Sequence, residues 1–328
     1  MKLATFLNAD GQQRIGSVNV EDQTILDLQS AHEQENGQSA SPWLNSMLAL
    51  IDGGVAALAL ARKIDKECSD PGPHRFPLAS VKLLAPVPRP RQIRDFNNAE
   101  DHWRGAFGGI TILAARMAGK VPPLRSELKV DIPEVNYTQP IFYISNRFNV
   151  VGMDAEVSWP RYCEWFDFEA EYGIFISKTG KDIPEEDAHS YIFGYTVFND
   201  FSARDKQMRE MQGHMGPTKG KSFDTGNTMG PWIVTADEIP DPRKLAVEIR
   251  VNGEVWNRTS TASMVHSFEK MLAYVSESET LHAGEFFGSG TMAGGCCLEL
   301  DRWIKDGDVV EIEFEKIGVL RNRVVRGN

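Results

Sequence analysis

The sequence predicts a strand-rich α+β fold in two parts: a small N-terminal α+β domain over residues 1–74 and a larger, mostly β domain over residues 75–328. Three observations predict it. Short runs of β-branched and aromatic residues, bounded by turn residues, recur along the chain, and such runs are strand signals. Apolar residues at helical spacing are confined to a few segments. A breaker cluster, Ser69-Asp-Pro-Gly-Pro-His74, reads as a linker between the two parts.

Residues 1–28 alternate apolar and polar around turns at Asp10-Gly11 and Glu21-Asp22, which predicts a small antiparallel sheet. Residues 42–67 have helical spacing, interrupted at Asp52-Gly53-Gly54. The three prolines of Val81-Lys-Leu-Leu-Ala-Pro-Val-Pro-Arg-Pro-Arg-Gln-Ile93 exclude helix and predict an extended crossing segment. Residues 103–136 carry Gly105, Gly108-Gly109 and Pro122-Pro123 around a short helix expected at 110–119. Residues 103–139 are therefore expected to form a lid or pocket wall. Phe166–Ile176 and Tyr191–Phe198 read as strands. Phe201–Met211 is compatible with a helix, with Asp200 placed to cap it and Arg204 and Gln207 on one face. Asn252-Gly253 between two β-prone runs is a hairpin signal. Residues 263–276 read as an amphipathic helix, and Cys297–Leu300 and Val309–Phe314 as strands.

The net charge of −11 argues against binding nucleic acid or an anionic membrane, while leaving room for a local basic pocket. No signal-peptide core or membrane-length apolar run is present, so a cytoplasmic location is expected. Four cysteines without a Cys-x-x-Cys fit neither a disulfide framework nor a zinc site. Two decoys fail on context. Gly216–Ser222 lacks the first P-loop glycine, and Gly288–Ala293 leads into a strand-like run where a dinucleotide fingerprint needs a helix.

The chemistry is expected around Glu169-Ala-Glu171. Residues two apart on a strand share a face, so these carboxylates sit side by side. Burying either one unpaired is costly, and a hard cation between them removes both the repulsion and the burial cost. A solvated polar face is the alternative. Asp95 and Asp200 stand in the same context, beside aromatic residues within or at the ends of strand-like runs. An all-oxygen set suits Mg²⁺, Mn²⁺ or Ca²⁺ better than zinc.

Together these pieces resemble the fumarylacetoacetate hydrolase family from about Val81 to the C-terminus. The carriers are Leu84-Ala-Pro-Val-Pro-Arg-Pro, Asp95-Phe followed by His102, Pro140-Ile-Phe-Tyr143, Glu169-x-Glu171, Asn199-Asp-Phe-Ser-Ala-Arg-Asp-Lys-Gln207, Gly220-Lys-Ser-Phe223, Gly288-Ser-Gly-Thr291 and Leu298-Glu-Leu300. The resemblance implies a catalytic domain of strands rolled into a distorted barrel or sandwich, usually a homodimer. It implies a divalent metal, Mg²⁺ foremost with Ca²⁺ or Mn²⁺ as alternatives, held by Glu169, Glu171 and Asp200, with Asp95 as a fourth ligand. His102 matches the general base and Glu299 its partner. Lys221, Arg204 and Gln207 match oxygen-binding groups, and Tyr143 and Thr291 match substrate contacts. Two departures stand out. Asn97 occupies the place of a substrate-contacting tyrosine, and Gly105 the place where short acylpyruvase-like members carry a glutamate.

The implied activity is metal-dependent hydrolysis of a C–C bond in a small β-diketone or acylpyruvate. The base would activate water, and Lys221, Arg204 and Gln207 would stabilise the developing negative charge. A lyase or isomerase on the same scaffold, such as a β-keto-acid decarboxylase, would need the charge stabilisers but no activated water. A silent binding module would need neither base nor partner.

Overall fold

The computed structural model describes residues 1–36, 40–68 and 72–327, so Ser69–Pro71 of the expected linker lies outside the described residues. Twelve strands form one sheet. Its main path runs from Arg75–Pro77 through Thr24–Asp27, Gln13–Asn19, Lys2–Leu7, Asn227–Thr235, Ile192–Asp200, Ala170–Ile176, Phe286–Gly288 and Ile93–Asn97 to Ile141–Ser145. The N-terminal strands join it through Lys2–Leu7, where Leu3 pairs with Ile233. A second, five-stranded sheet holds Glu254–Ser260, Ala246–Val251, Val309–Phe314, Gly318–Arg326 and Glu156–Trp159. Its hairpin turns at Asn252 and Gly253, both at positive φ, as the Asn-Gly dipeptide demands. Neither sheet closes on itself among the described residues, so the distorted barrel or sandwich resolves into two open sheets.

The central strands are buried on both faces, and alternation divides their side chains between two cores. In Ala170–Ile176, Tyr172 and Ile174 point toward the second sheet and pack with Val247, Ile249, Ile312 and Phe314. Phe175, Phe198, Ile233 and Phe286 point the other way and pack with Leu50, Ile51 and Ala57 from the helices Met47–Asp52 and Gly54–Glu67. No helix among the described residues is long and apolar enough to cross a membrane.

Four expectations are corrected. The segment after His102 is not a loop with a short helix. Glu100–Met117 is one helix of 18 residues running through Gly105, Gly108 and Gly109. These glycines are where the helix meets another part of the chain. A Cβ on Gly105 would lie 2.8 Å from Glu299 Oε1, and one on Gly109 would overlap the Leu298 carbonyl. Close packing thus overrides their poor helix propensity. Cys297–Leu300 is a helical turn, not a strand. The Phe166–Ile176 run is broken: Phe166–Asp167 pairs with Ser202–Ala203, and the long strand restarts at Ala170, leaving Glu169 at the break. Asp200 ends its strand, and Ala203, not Asp200, precedes the helix Arg204–Met211.

Candidate active site

Three strands of the large sheet place the acidic residues. Alternation puts Asp95, Glu171 and Asp200 on the same face of the large sheet as Phe175, Phe198 and Phe286. Gly288 separates two of these strands, in register with Gly173 on one side and Asp95 on the other. A Cβ at Gly288 would overlap Asp95 Oδ1 and lie 3.2 Å from Glu171 Oε2, so glycine leaves the cradle open. Carboxylate oxygens of Asp95, Glu171 and Asp200 lie within 4.8 Å of one another, and all three residues are buried. Asp95 Oδ1 and Asp200 Oδ1 lack a hydrogen-bond partner. Glu171 is steadied by the Gly290 N–H at 3.0 Å and the Thr291 hydroxyl at 3.2 Å.

Burial pushes all three carboxyls up, and the Asp95 carboxylate adds to the rise at both Glu171 and Asp200. Buried like charges with orphaned oxygens are what a hard divalent cation with oxygen ligands would neutralise, so the donor set fits such an ion.

Glu169 stands apart from this trio. Arg204 Nη2 donates to its Oε1 at 2.6 Å, and Lys221 donates to its Oε2. Burial opposes ionisation of Glu169, but Arg204 and Lys221 prevail and hold it well below the usual carboxylate range. Lys221 also donates to Asp200, so it bridges the two carboxylates. Burial alone would depress the Lys221 ammonium, but Asp200 and Glu169 reverse the shift and keep it charged. Asp95, Glu171 and Asp200 are thus the carboxylates gathered within 4.8 Å of one another, and Glu169 pairs with its two cations. The Tyr143 hydroxyl donates to Asp200 Oδ2 at 2.6 Å. Arg204 Nη1 donates to Gln207 Oε1 at 2.9 Å, as their spacing on one helix requires. Asn97 ends the Ile93–Asn97 strand opposite Ile141, two residues beyond Asp95 and half-buried.

His102 enters from the first turn of the glycine-bearing helix, and its Nδ1 lies 2.8 Å from Glu299 Oε2. Both side chains are buried, at 9 % and 5 % exposure. Burial pulls the imidazole down, but the Glu299 carboxylate outweighs it and holds His102 above its ordinary value. Glu169 pulls in the same direction and Arg204 opposes, so the pair lies in the field of the Glu169–Arg204 ion pair. With Nδ1–H donated to Glu299, the lone pair is left on Nε2, the arrangement of an oriented base. Glu299 also accepts the Gly294 N–H at 2.9 Å, the Gly295 N–H at 3.1 Å and the Cys296 thiol at 3.3 Å.

Three contributors were missed by sequence reasoning. Asp167 accepts Arg204 Nε at 2.7 Å and the Cys297 and Leu298 N–H groups at 2.6 and 3.2 Å, joining the Arg204 network to the Glu299 turn. Its signal was the alternation itself, since Asp167, Glu169 and Glu171 lie two apart. Cys296 and Arg125 carried no local signal.

The family model "Fumarylacetoacetate (FAA) hydrolase C-terminal" matches residues 113–325. The oxaloacetate tautomerase YisK of Bacillus subtilis is 31 % identical over 313 residues, 93 % of this chain and 94 % of its own. The human mitochondrial oxaloacetate tautomerase FAHD2A is 33 % identical over 282 residues, covering 85 % and 80 %. Among solved structures, the fumarylacetoacetate hydrolase of Exiguobacterium antarcticum superimposes with a TM-score of 0.72 at 28 % identity over 100 % of both chains. The maleylpyruvate hydrolase of Sphingobium sp. SYK-6, solved with manganese(II) and pyruvate, does so with a TM-score of 0.71 at 25 % identity, again over 100 % of both. Similarity over nearly the whole length and a shared strand architecture make one conclusion plain: this chain is a member of the fumarylacetoacetate hydrolase family of enzymes.

Proposed function

We propose that the protein is a divalent-metal-dependent enzyme that moves a proton on a small 2-oxo dicarboxylic acid, interconverting the keto and enol forms of an oxaloacetate-like substrate. The observation that carries this reading is the buried His102–Glu299 pair at 2.8 Å, in the field of Glu169, which Lys221 links to Asp200 of the acidic cluster. A cation held by Asp95, Glu171 and Asp200 would supply Lewis-acid polarisation of a carbonyl. Nε2 of His102 takes a proton from the carbon between the two carbonyl groups. Glu299 stabilises the imidazolium, which then returns the proton to oxygen. Lys221 and Arg204 offer positive charge where negative charge develops. Relatives named as oxaloacetate tautomerases that cover 93 % and 85 % of this chain support the substrate class.

The same base supports a second reading, hydrolysis of a C–C bond in an acylpyruvate or diketone. There His102 would deprotonate water instead of carbon, and the likeness to two solved hydrolases favours it.

One comparison of substrates decides between them. Chelator-treated protein, reloaded with Mg²⁺, Mn²⁺ or Ca²⁺, is given enol-oxaloacetate and, separately, a panel of acylpyruvates and maleylpyruvate. Tautomerisation above the buffer rate, lost on chelation, supports the first reading. Cleavage of an acylpyruvate without oxaloacetate turnover transfers the assignment to the second. Turnover that survives exhaustive chelation sinks both.

A further inference from the structure

We propose that Arg125 is a positioning residue for the His102–Glu299 pair, clamping the helix that carries His102 to the turn that carries Glu299. The inference rests on the acid–base reading of that pair. Arg125 Nη1 donates to the Gly105 carbonyl at 2.7 Å, and Nη2 donates to the Leu298 carbonyl at 2.9 Å. Gly105 lies one turn beyond His102, and Leu298 immediately precedes Glu299. One planar guanidinium thus spans the two backbones from which the paired side chains project.

Both carbonyls are suited to a cation. Leu298 lies in a four-residue helical turn that ends at Asp301 in the left-handed conformation, so its carbonyl is in the last turn, where helix carbonyls lack intrahelical partners. A positive group there also meets the negative end of the turn. The Gly105 carbonyl has a second lone pair beyond the one its helix uses. Arg125 lies over the same helix face, 3.4 Å from where a Cβ on Gly108 would sit, and the bare backbone at Gly105 and Gly109 lets the Glu299 turn come close.

Other bonds hold the two halves less well. The N–H groups of Gly294 and Gly295 and the Cys296 thiol fix Glu299 within its own loop and do not reach the His102 helix. Arg116 pairs with Asp301 at the far end of the helix, but the two side chains are 30 % and 37 % exposed, and such pairs contribute little. Arg125 itself begins the short 3-10 turn Arg125–Glu127, reached from Met117 through a stretch whose Val121 and Leu124 are exposed. Removing its side chain leaves the cores intact. Lysine has one point charge where arginine has a fork, so it can satisfy only one of the two carbonyls well.

The test uses the full chain and has two readouts. In metal-free protein labelled with ¹⁵N-histidine, the hydrogen-bonded Nδ1–H of His102 is assigned by its loss in His102→Ala. Arg125→Ala should move that proton upfield and speed its exchange, with Arg125→Lys intermediate and the melting temperature little changed. In Mg²⁺-loaded protein turning over oxaloacetate, Arg125→Ala should lower kcat by about 10- to 100-fold, the scale of a small misplacement, with KM changed less. In a His102→Ala background the same substitution should cost almost nothing more. An unmoved Nδ1–H signal, or an equal loss of kcat in both backgrounds, overturns the clamp. If His102→Ala leaves turnover unchanged, the acid–base reading fails by itself, and the imidazole signal still decides whether Arg125 holds the pair. Should Arg125→Ala not fold, Arg125→Lys and Arg125→Gln give the same two comparisons.

Discussion

Glu299 stands 197 residues from His102 in the chain, yet the two side chains meet at 2.8 Å in a buried setting. The sign of the resulting pH effect follows from the raised imidazole. A histidine whose folded value lies above its unfolded value contributes stability in full below about pH 6.5, and that stability is lost as pH rises through the folded value. Glu299→Gln keeps the shape and removes the charge. It should bring the His102 titration, followed by imidazole NMR, down below the wild-type midpoint, because burial then acts with less opposition. It should also lower kcat. His102→Ala should lower kcat by roughly 10²–10⁴-fold while leaving cation binding in place, the scale of a lost general base. A His102 midpoint unchanged in Glu299→Gln would show that the carboxylate does not support the imidazolium. At this scale the sequence spoke through residue type. A carboxylate repeating every second position marked Glu169 and Glu171, and the same alternation covered Asp167. It could not say that Arg204 and Lys221 would pair with Glu169, because charge partners distant in sequence are chosen by folding.

The helix Glu100–Met117 shows where local reasoning fails at the scale of elements. Its glycines read as loop punctuation because glycine is worth about 1 kcal/mol less than alanine in a helix. In the folded chain the Gly105 and Gly109 positions face the Glu299 turn at contact distance, so the missing Cβ atoms are a packing requirement. Two substitutions separate the effects. Gly109→Ala would drive a methyl into the Leu298 carbonyl and should destabilise by about 1–3 kcal/mol, as overpacking does, despite the better propensity. Gly108→Ala meets Arg125 only at ordinary contact distance and should be neutral or stabilise by up to about 1 kcal/mol. Thermal and urea unfolding of both variants measure this. Equal effects would mean that propensity, not packing, governs the helix. A glutamate at position 105 would compete for the space that the Glu299 carboxylate occupies, which accounts for glycine there.

At the scale of the molecule, the large sheet carries the acidic trio on the face that it shares with the N-terminal helices, while its other face packs on the second sheet. The cluster is therefore set in rigid, doubly covered strands, and its repulsion is stored as a destabilisation that a cation would relieve. Burial raises all three carboxyls, so above their folded values the cation-free protein forgoes stability that it regains as pH falls through those values toward the ordinary carboxylate range. Mg²⁺, Mn²⁺ or Ca²⁺ at about 100 times its Kd should add about 2.7 kcal/mol, seen as a chelator-reversible rise in melting temperature. Asp95→Asn should reduce that rise. No shift with any of the three ions would remove the metal from the site.

Much of this protein was determined by sequence alone. Alternation and β-propensity placed most strands, Asn252-Gly253 placed a hairpin, and the order of short motifs identified the family, because each is a local property of the chain. The tertiary structure decided what local properties cannot. It turned a glycine-rich segment into a helix, because the energy of a close contact exceeds the propensity penalty. It turned Cys297–Leu300 into a helical turn capped by Asp167 from 130 residues away. It also joined His102, Glu299 and Arg125, since hydrogen bonds between distant segments exist only once the sheet and the glycine-lined helix face have brought those backbones together.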